Sequence, residues 1–377
     1  GIGMINLFLK VKKLSAATLL FAVILLVLST LIVIFASQQG ILFDKSTANI
    51  VRTKEAYEAA EAGIEFGMAY FQQNASTIVG TPINGYINFS NASTTNVTLA
   101  NNSRFSVVYT NPIAFNYNLI LITSTGTNSE NSATRILTQE VQRGSLVINT
   151  GTTSVVTKGS VIVGDNAVLN NTSTNQNIRA ASTVSFTGNG KTVTSSGMSS
   201  NFRTIGPDVQ SNVSALANTS QGDFFASYFG TASTDSLRGR VAHYYNNTTN
   251  KIYNESSSIN GLMGTSIWID QAAGTTVTLA GDIELGSVTD PVLLIVNGGL
   301  SVVGNVVIHG FIFVIGSSGI TSAFTGNNEI IGGLATTDNL TISGNSILSF
   351  NPTVLTNLRN HASMTFYAKV PGSWKDF

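Results

Sequence analysis

The sequence predicts an α+β chain, mostly β: one long N-terminal helix, a small antiparallel sheet, and a C-terminal parallel β-solenoid. Three observations carry this. Leu14 to Phe43 contains no Asp, Glu, Lys, Arg or His, and it passes without a turn signal into an amphipathic pattern that reaches Phe71. Three β-branched and aromatic segments follow, separated by turn-forming residues. In the last third, Gly-Asn pairs punctuate short apolar runs at intervals near 20 residues, which is the spacing of stacked β-coils.

The helix comes first. At 1.5 Å per residue the uncharged stretch would extend roughly 45 Å, more than a hydrocarbon core requires. Lys10, Lys12 and Lys13 precede it, and the next charges are Asp44 and Lys45. A basic flank stays on the cytoplasmic side, so the remainder of the chain is expected across the membrane. Beyond Phe43, Ile50, Tyr57, Ile64 and Phe71 recur every seven residues, with Ala60 and Met68 on the same face. Glu58, Glu61 and Glu65 group beside that stripe, where they serve either as a solvated face or as contacts for a neighbouring subunit. The reading by segment is a basic leader (1–15), a membrane helix (16–43) and its amphipathic continuation (44–75).

Residues 74–102 read as loop, with Gly80, Pro82 and Gly85. Arg104–Thr110, Asn118–Thr125 and Thr134–Gln142 read as strands, and a sheet over 76–143 packed on the helix would bury both apolar faces. Beyond Gly144 lies a β-rich body (144–260), with Leu146–Ile148, Val161–Val163 and Val184–Phe186 as its clearest runs. Phe224, Phe225, Tyr228 and Phe229 sit at helical spacing in an insertion expected to pack across that body as core. Val241–Tyr245 is a further short element. In the solenoid (261–377), Leu300, Ile320 and Leu340 recur every 20 residues, near Gly304-Asn305, Gly326-Asn327 and Gly344-Asn345. Gly and Asn suit corners because they tolerate positive φ. Trp374 is expected to cap the last coil, since a solenoid end needs an atypical closing residue.

Two stretches of the helix carry a family resemblance. Ala16-Ala17-Thr18-Leu19-Leu20, together with Glu55-Ala56-Tyr57-Glu58-Ala59-Ala60-Glu61-Ala62-Gly63-Ile64-Glu65, resembles the N-terminal domain of the PilX-like minor pilins of type IV pili. Pro291–Asn297 and Val370–Phe377 resemble the C-terminal part of long members. The resemblance touches both ends and leaves the middle unmatched. It implies processing by prepilin peptidase between Ser15 and Ala16, and membrane and filament packing through Leu19, Leu20, Phe21, Val23, Ile24, Leu25, Leu26 and Phe35. The partners it implies are membrane lipid, the other pilins of the filament and the inner-membrane assembly machinery, for a single-pass inner-membrane protein with its head outside. Two positions depart from the pilin pattern: Ser15 stands where Gly is usual, and Leu20 where major pilins carry Glu.

Composition excludes several chemistries. There are no cysteines, so thiol catalysis, disulfides and thiolate metal sites are ruled out. Charged residues make up 10% of the chain and net charge is zero, which gives no basic stripe for nucleic acid. His243, His309 and His361 have no metal-ligand spacing. Asp282, Glu284 and Asp290 are the one acidic group to weigh, as calcium ligands or an acid–base pair, against solvated corners. The sequons, such as Asn74, Asn91, Asn218, Asn247 and Asn339, follow from composition. No cofactor is expected. The expectation is a non-enzymatic minor pilin-like subunit. A permanently anchored surface adhesin or scaffold, and a carbohydrate-active β-helix, are the alternatives.

Overall fold

In the computed structural model, residues 2–78, 93–112, 119–316 and 320–377 are described, with side chains from 18 to 72 and from 97 onward within those ranges. The fold is the expected one: a long N-terminal helix, an antiparallel sheet, and parallel sheets wound into a solenoid. The chain forms two compact units, one from residues 1–142 with 369–377, the other from 143–368.

In the first unit, helix α1 spans Ile2–Ile78. No proline lies within it, and its glycines do not break it. The antiparallel sheet comprises β1 (Ser93–Thr98), β2 (Arg104–Thr110), β3 (Leu119–Thr127) and β4 (Thr134–Ser145), in that order. The segment expected to be loop therefore yields both the end of α1 and strand β1; residues 79–92 and Asn118 lie outside the described residues. β1 is composed of Ser, Thr, Asn and a single Val, so it shows no hydrophobic alternation to read. On β2 and β3 the alternation is strict: Phe105, Val107 and Tyr109, then Ile120 and Ile122, are buried. Lys375–Asp376 adds a short antiparallel strand to β4.

In the second unit, neighbouring coils pair in parallel and in register, but chain order is not spatial order. From one pole, the first coil is His243–Asn247 with Lys251–Tyr253, followed by Ser266–Gln271 with Thr276–Gly281. Val292–Asn297 with Gly299–Gly304 comes next, and then the long strand Val307–Ile315 with Thr321–Gly326. Glu329–Thr336, Asn339–Ile342 and Ile347–Phe350 close this series. The next coil in space is the earliest in sequence: Val155–Thr157, Val161–Val163 and Val168–Asn170 pair with that series, as in Leu340↔Val161 and Ile342↔Val163. Ile178–Ala180, Val184–Phe186 and Lys191–Val193 form the last coil, toward the opposite pole. Solenoid coils thus lie on both sides of the 260/261 boundary drawn from sequence. The two halves meet at a seam in the middle of the stack.

The inner column across this seam is continuous. Leu279, Val302, Phe324, Ile342, Val163 and Phe186 stack in register, all buried. The Leu300, Ile320, Leu340 period is not the structural repeat. Ser322, not Ile320, lies beside Leu340, and its hydroxyl accepts the Leu300 amide at 3.3 Å. The repeat that stacks is the corner. Gly281, Gly304, Gly326 and Gly344 lie 23, 22 and 18 residues apart, all at positive φ, and Asp165 (φ 52°) and Gly188 (φ 58°) continue the column beyond the seam. Beside it runs a relay of amides, each Nδ2 donating to the carboxamide or carboxylate oxygen of the coil before it. Asn305 donates to Asp282 at 2.8 Å, Asn327 to Asn305 at 3.2 Å and Asn345 to Asn327 at 3.0 Å. Asn166 donates to Asn345 at 3.1 Å and Asn189 to Asn166 at 3.0 Å.

The connection between the poles carries the helix Gln221–Phe229, capped by Ser220 and ended by Gly230 at φ 70°. Its aromatic face lies on the outer side of the solenoid, where Phe313 meets Phe224, Phe225, Tyr228 and Phe229 at centroid distances of 5.7, 5.5, 5.3 and 5.0 Å. The aromatic cluster is core, as its spacing suggested. Leu146–Ile148 is not a strand; Leu146 and Val147 are buried in the same cluster as these aromatic residues, and the Ile148 amide donates to the Tyr228 carbonyl at 2.8 Å. Val241–Tyr245 overlaps the strand His243–Asn247. Trp374 caps no coil: it lies in the first unit, edge-on to Tyr57 at 6.3 Å.

Two aspartates in the solenoid respond to pH in opposite senses. Burial alone would raise the Asp270 pKa, but hydrogen bonds from Trp268, Asn297 and Tyr244, and the Arg238 guanidinium at 3.0 Å, hold it below the usual value. Asp338 lies against Gly316 with one carboxylate oxygen unpaired among the described residues, and burial raises its pKa to about 6. Its folded pKa exceeds its unfolded one, so its contribution is complete below about pH 4 and is lost as pH rises through about 6. Asp338→Asn should therefore raise the unfolding temperature at pH 7.5, leave it nearly unchanged at pH 4, and flatten the profile measured by circular dichroism. Gly326→Ala forces a Cβ to 2.8 Å from the Gly304 amide at φ 103°, and should cost about 1–3 kcal/mol in denaturant titration. Asn327→Ala, which interrupts the exposed relay, should cost about 1 kcal/mol.

Candidate functional site: the stem helix

α1 has two halves with different physics. Every large apolar side chain from Leu19 to Phe43 is exposed. Leu19, Leu20, Phe21, Val23, Ile24, Leu25, Leu26 and Phe35 each present between 45% and 70% of their surface, so none is buried by a partner among the described residues. Among the described residues this is the one helix long and apolar enough to cross a membrane. Each such side chain gains about 1.5–3 kcal/mol when buried, in lipid or among other helices. The backbone is helical through Ser15 and Ala16, whose side chains lie outside the described residues. Ser29 and Thr30 donate their hydroxyls to the carbonyls of Leu26 and Val27, at 2.9 and 2.8 Å, so these polar atoms are satisfied within the helix itself.

From Ala56 onward the helix is packed. Ala56, Ala59, Ala60, Ile64 and Phe71 are buried against β2 and β3. The approach is closest where side chains are missing. A Cβ on Gly126 of β3 would lie 2.2 Å from the Ala56 carbonyl and 2.2 Å from the Ala60 amide. Gly63 faces Ser124 and Phe105, and Gly67 faces Val107 and Ile122. Tyr109 crosses the seat and donates its hydroxyl to the Gly67 carbonyl at 2.8 Å, and burial pushes its pKa well above the ordinary tyrosine value. The Ala-rich segment Glu55–Glu65 is thus the surface that lets a sheet lie on the helix backbone. The expected stripe is only partly right: Ile64 and Phe71 are buried, but Ile50 is 65% exposed because the sheet does not extend over it.

The three glutamates do not act alike. Glu58 pairs with Lys54 one turn earlier at 3.6 Å, and Glu65 binds Lys369 from the C-terminal segment. Glu61 is exposed, with no ion pair among the described residues. Sequence spacing grouped them but gave no means of finding Lys369, about 300 residues away. Reasoning from sequence also missed Arg52, whose guanidinium meets Glu130 at 2.8 Å and ties the helix to the β3–β4 turn. A cavity of about 570 Å³ beside this part of the helix is lined by Ser46, Asn49, Ile50, Thr53, Lys54, Tyr57, Arg135 and Asp376.

No family model and no curated protein matches the chain. Among solved structures it is similar to the competence-associated pilin ComZ from Thermus thermophilus. The TM-score is 0.25 and the identity 11%, over 86% of this chain and 97% of that one.

The acidic group weighed as a site does not assemble. Asp282 is the acceptor at the end of the amide relay, and Asp290 faces His361 at 3.4 Å. Among the described residues no group of His, Asp and Glu could hold a metal ion.

The seat of the helix yields a direct expectation. Gly126→Val should destabilise the first unit by about 3 kcal/mol or more, because the clash is with helix backbone and cannot be relieved by a rotamer change. Gly40→Ala, at a position with nothing within 4 Å, should be neutral to stabilising by about 1 kcal/mol. Limited proteolysis of the two variants, with the cleavage sites mapped by mass spectrometry, would show whether β3 loosens from α1 only in the first.

Proposed function

We propose that the chain is a non-enzymatic, minor pilin-like subunit of a type IV pilus or related pseudopilus. The observation that carries the reading is one uninterrupted helix whose first half is apolar and bare while its second half is seated on an antiparallel sheet. Such a helix rests in a bilayer and moves into a bundle of like helices without changing its own conformation. Burial in the bundle supplies the drive for assembly. The residues proposed to act are Ser15 and Ala16 at the processing point, Leu19 to Phe35 for lipid and for neighbouring stems, and Glu61 as the glutamate free for a contact between subunits. Leu20, apolar where shaft subunits carry Glu, supports a place at the tip or in priming rather than along the shaft. The solenoid would be the part displayed.

The second reading, a permanently anchored adhesin or scaffold, is favoured by Ser15 in place of Gly at the processing point. Mass spectrometry of the N-terminus, with and without active prepilin peptidase, separates the two. A new end at Ala16 that depends on the peptidase is expected; an intact leader in both samples would transfer the protein to the anchored class. Leu26→Arg places a charge in the middle of the stem at a cost of about 3 kcal/mol. It should remove the protein from sheared filaments while leaving the unfolding temperature of the solenoid unchanged.

A further inference from the structure

The pole of the solenoid formed by its last coil, Ile178–Val193, carries a cavity of about 460 Å³ lined by Asn189, Gly190, Lys191, Asn201, Phe202 and Arg203. We propose that this cavity binds a carboxylated sugar, one acidic residue of a glycan. The inference stands on the pole alone and does not depend on how the stem is used.

The site is built by a cap that folds back on the coil. Asn201 forms an antiparallel bridge with Lys191, and the Thr192 amide donates to the Ser200 carbonyl at 2.8 Å. The Ser200 hydroxyl donates to buried Asp208 at 2.7 Å, and Asp208 in turn accepts from Asn177 of the coil at 3.1 Å. The Asn201 carboxamide oxygen accepts from the amides of Arg203 and Thr204, at 2.8 and 3.1 Å, which fixes the turn presenting Phe202 and Arg203. The walls are therefore held before any ligand arrives, which removes part of the ordering cost of binding.

The lining has the features such a ligand needs. Lys191 and Arg203 are both exposed, and neither has an ion-pair partner among the described residues. No carboxylate lines the cavity, and its two charged lining residues are both cationic. Arg203 stacks over the Phe202 ring at 5.1 Å, which leaves the guanidinium edge free for a bidentate grip on a carboxylate. Phe202 is 57% exposed and offers its other face to the C–H side of a pyranose. Asn189 is the last member of the amide relay: its Nδ2 is spent on Asn166, and among the described residues no donor reaches its side-chain oxygen. Asn201 uses its oxygen in the turn, and among the described residues its Nδ2 has no hydrogen-bond partner. One amide acceptor, one amide donor, two cations and one aromatic ring suit hydroxyls, a carboxylate and a ring face together. A nucleic acid would require a longer basic track than two residues.

The test uses the full chain in detergent micelles, titrated by isothermal calorimetry with D-galacturonate, N-acetylneuraminate, D-galactose, inorganic phosphate and a thymidine oligonucleotide. At least one of the two acidic sugars should bind with Kd on the order of 1 mM, and galactose at least about tenfold more weakly. Which acidic sugar is preferred distinguishes a uronic acid polymer from a sialylated glycan as the source. Arg203→Glu should abolish the binding and Phe202→Ala weaken it about fivefold, while Lys251→Glu at the opposite pole changes nothing. All three sites are exposed, and matching unfolding curves would confirm that the variants fold. Absence of binding by either acidic sugar to about 20 mM would overturn the proposal. So would equal binding of galactose, phosphate binding of the same strength and Arg203 dependence, or preference for the oligonucleotide.

Discussion

The solenoid depends on one constraint repeated at each coil: a corner where the backbone must turn at positive φ directly above another backbone doing the same. At Gly326 a Cβ would lie 2.8 and 2.9 Å from the amide and carbonyl of Gly304, and at Gly344 it would lie 2.6 Å from the amide of Gly326. A Cβ at Gly326 or Gly344 would meet the backbone below it, so these corners require glycine, and once they are stacked the register of the adjoining strands is fixed. The apolar column Leu279, Val302, Phe324, Ile342, Val163 and Phe186 is a consequence of that register. So is the amide relay, since consecutive Asn side chains meet only when the residue before each one turns at the same height. Asp165 in the column shows the limit of the rule. It adopts the conformation at φ 52°, and its carboxylate accepts the Gly344 amide at 2.9 Å.

The stem obeys the same economy of side chains by another route. Where α1 meets the sheet, Ala56, Ala59, Ala60, Gly63 and Gly67 on one side, with Gly126 on the other, bring helix and strand backbones closer than larger residues would permit. A helix seated this tightly can be left bare over its remaining length, because its attachment to the sheet does not draw on the apolar half. The resulting division, between a half that holds the head and a half that is free for lipid or for other helices, is the basis of the functional reading.

Much of this was legible in the sequence, and the failures have physical causes. Helix α1, strand β2 and the coil strands Val161–Val163 and Val184–Phe186 were read correctly, because uncharged length and β-branched alternation are local signals. Strand β1 was missed because Ser, Thr and Asn pair through the backbone while showing no apolar pattern. The Leu300, Ile320, Leu340 period misled because coils of 23, 22 and 18 residues have no fixed interval; the Gly-Asn corner persists where the hydrophobic spacing does not. Asp165-Asn166 and Gly188-Asn189 are the same corner signal earlier in the chain, where the adjoining strands are only three residues long and give a weak apolar pattern. For the stem, the bare apolar residues could be named from sequence. Partners brought from elsewhere in the chain, such as Lys369 for Glu65 and Glu130 for Arg52, could not.

The chain begins and finishes the solenoid at its seam, with Val155–Asn170 lying against Leu334–Ser349, while both poles belong to internal stretches of sequence. The places where length can change are thereby separated from the seam. A duplicated coil inserted after Val193, or before His243, would lengthen the stack at one end and leave every pairing at the seam as it is. The terminal surface of the stack can thus change independently of the seam.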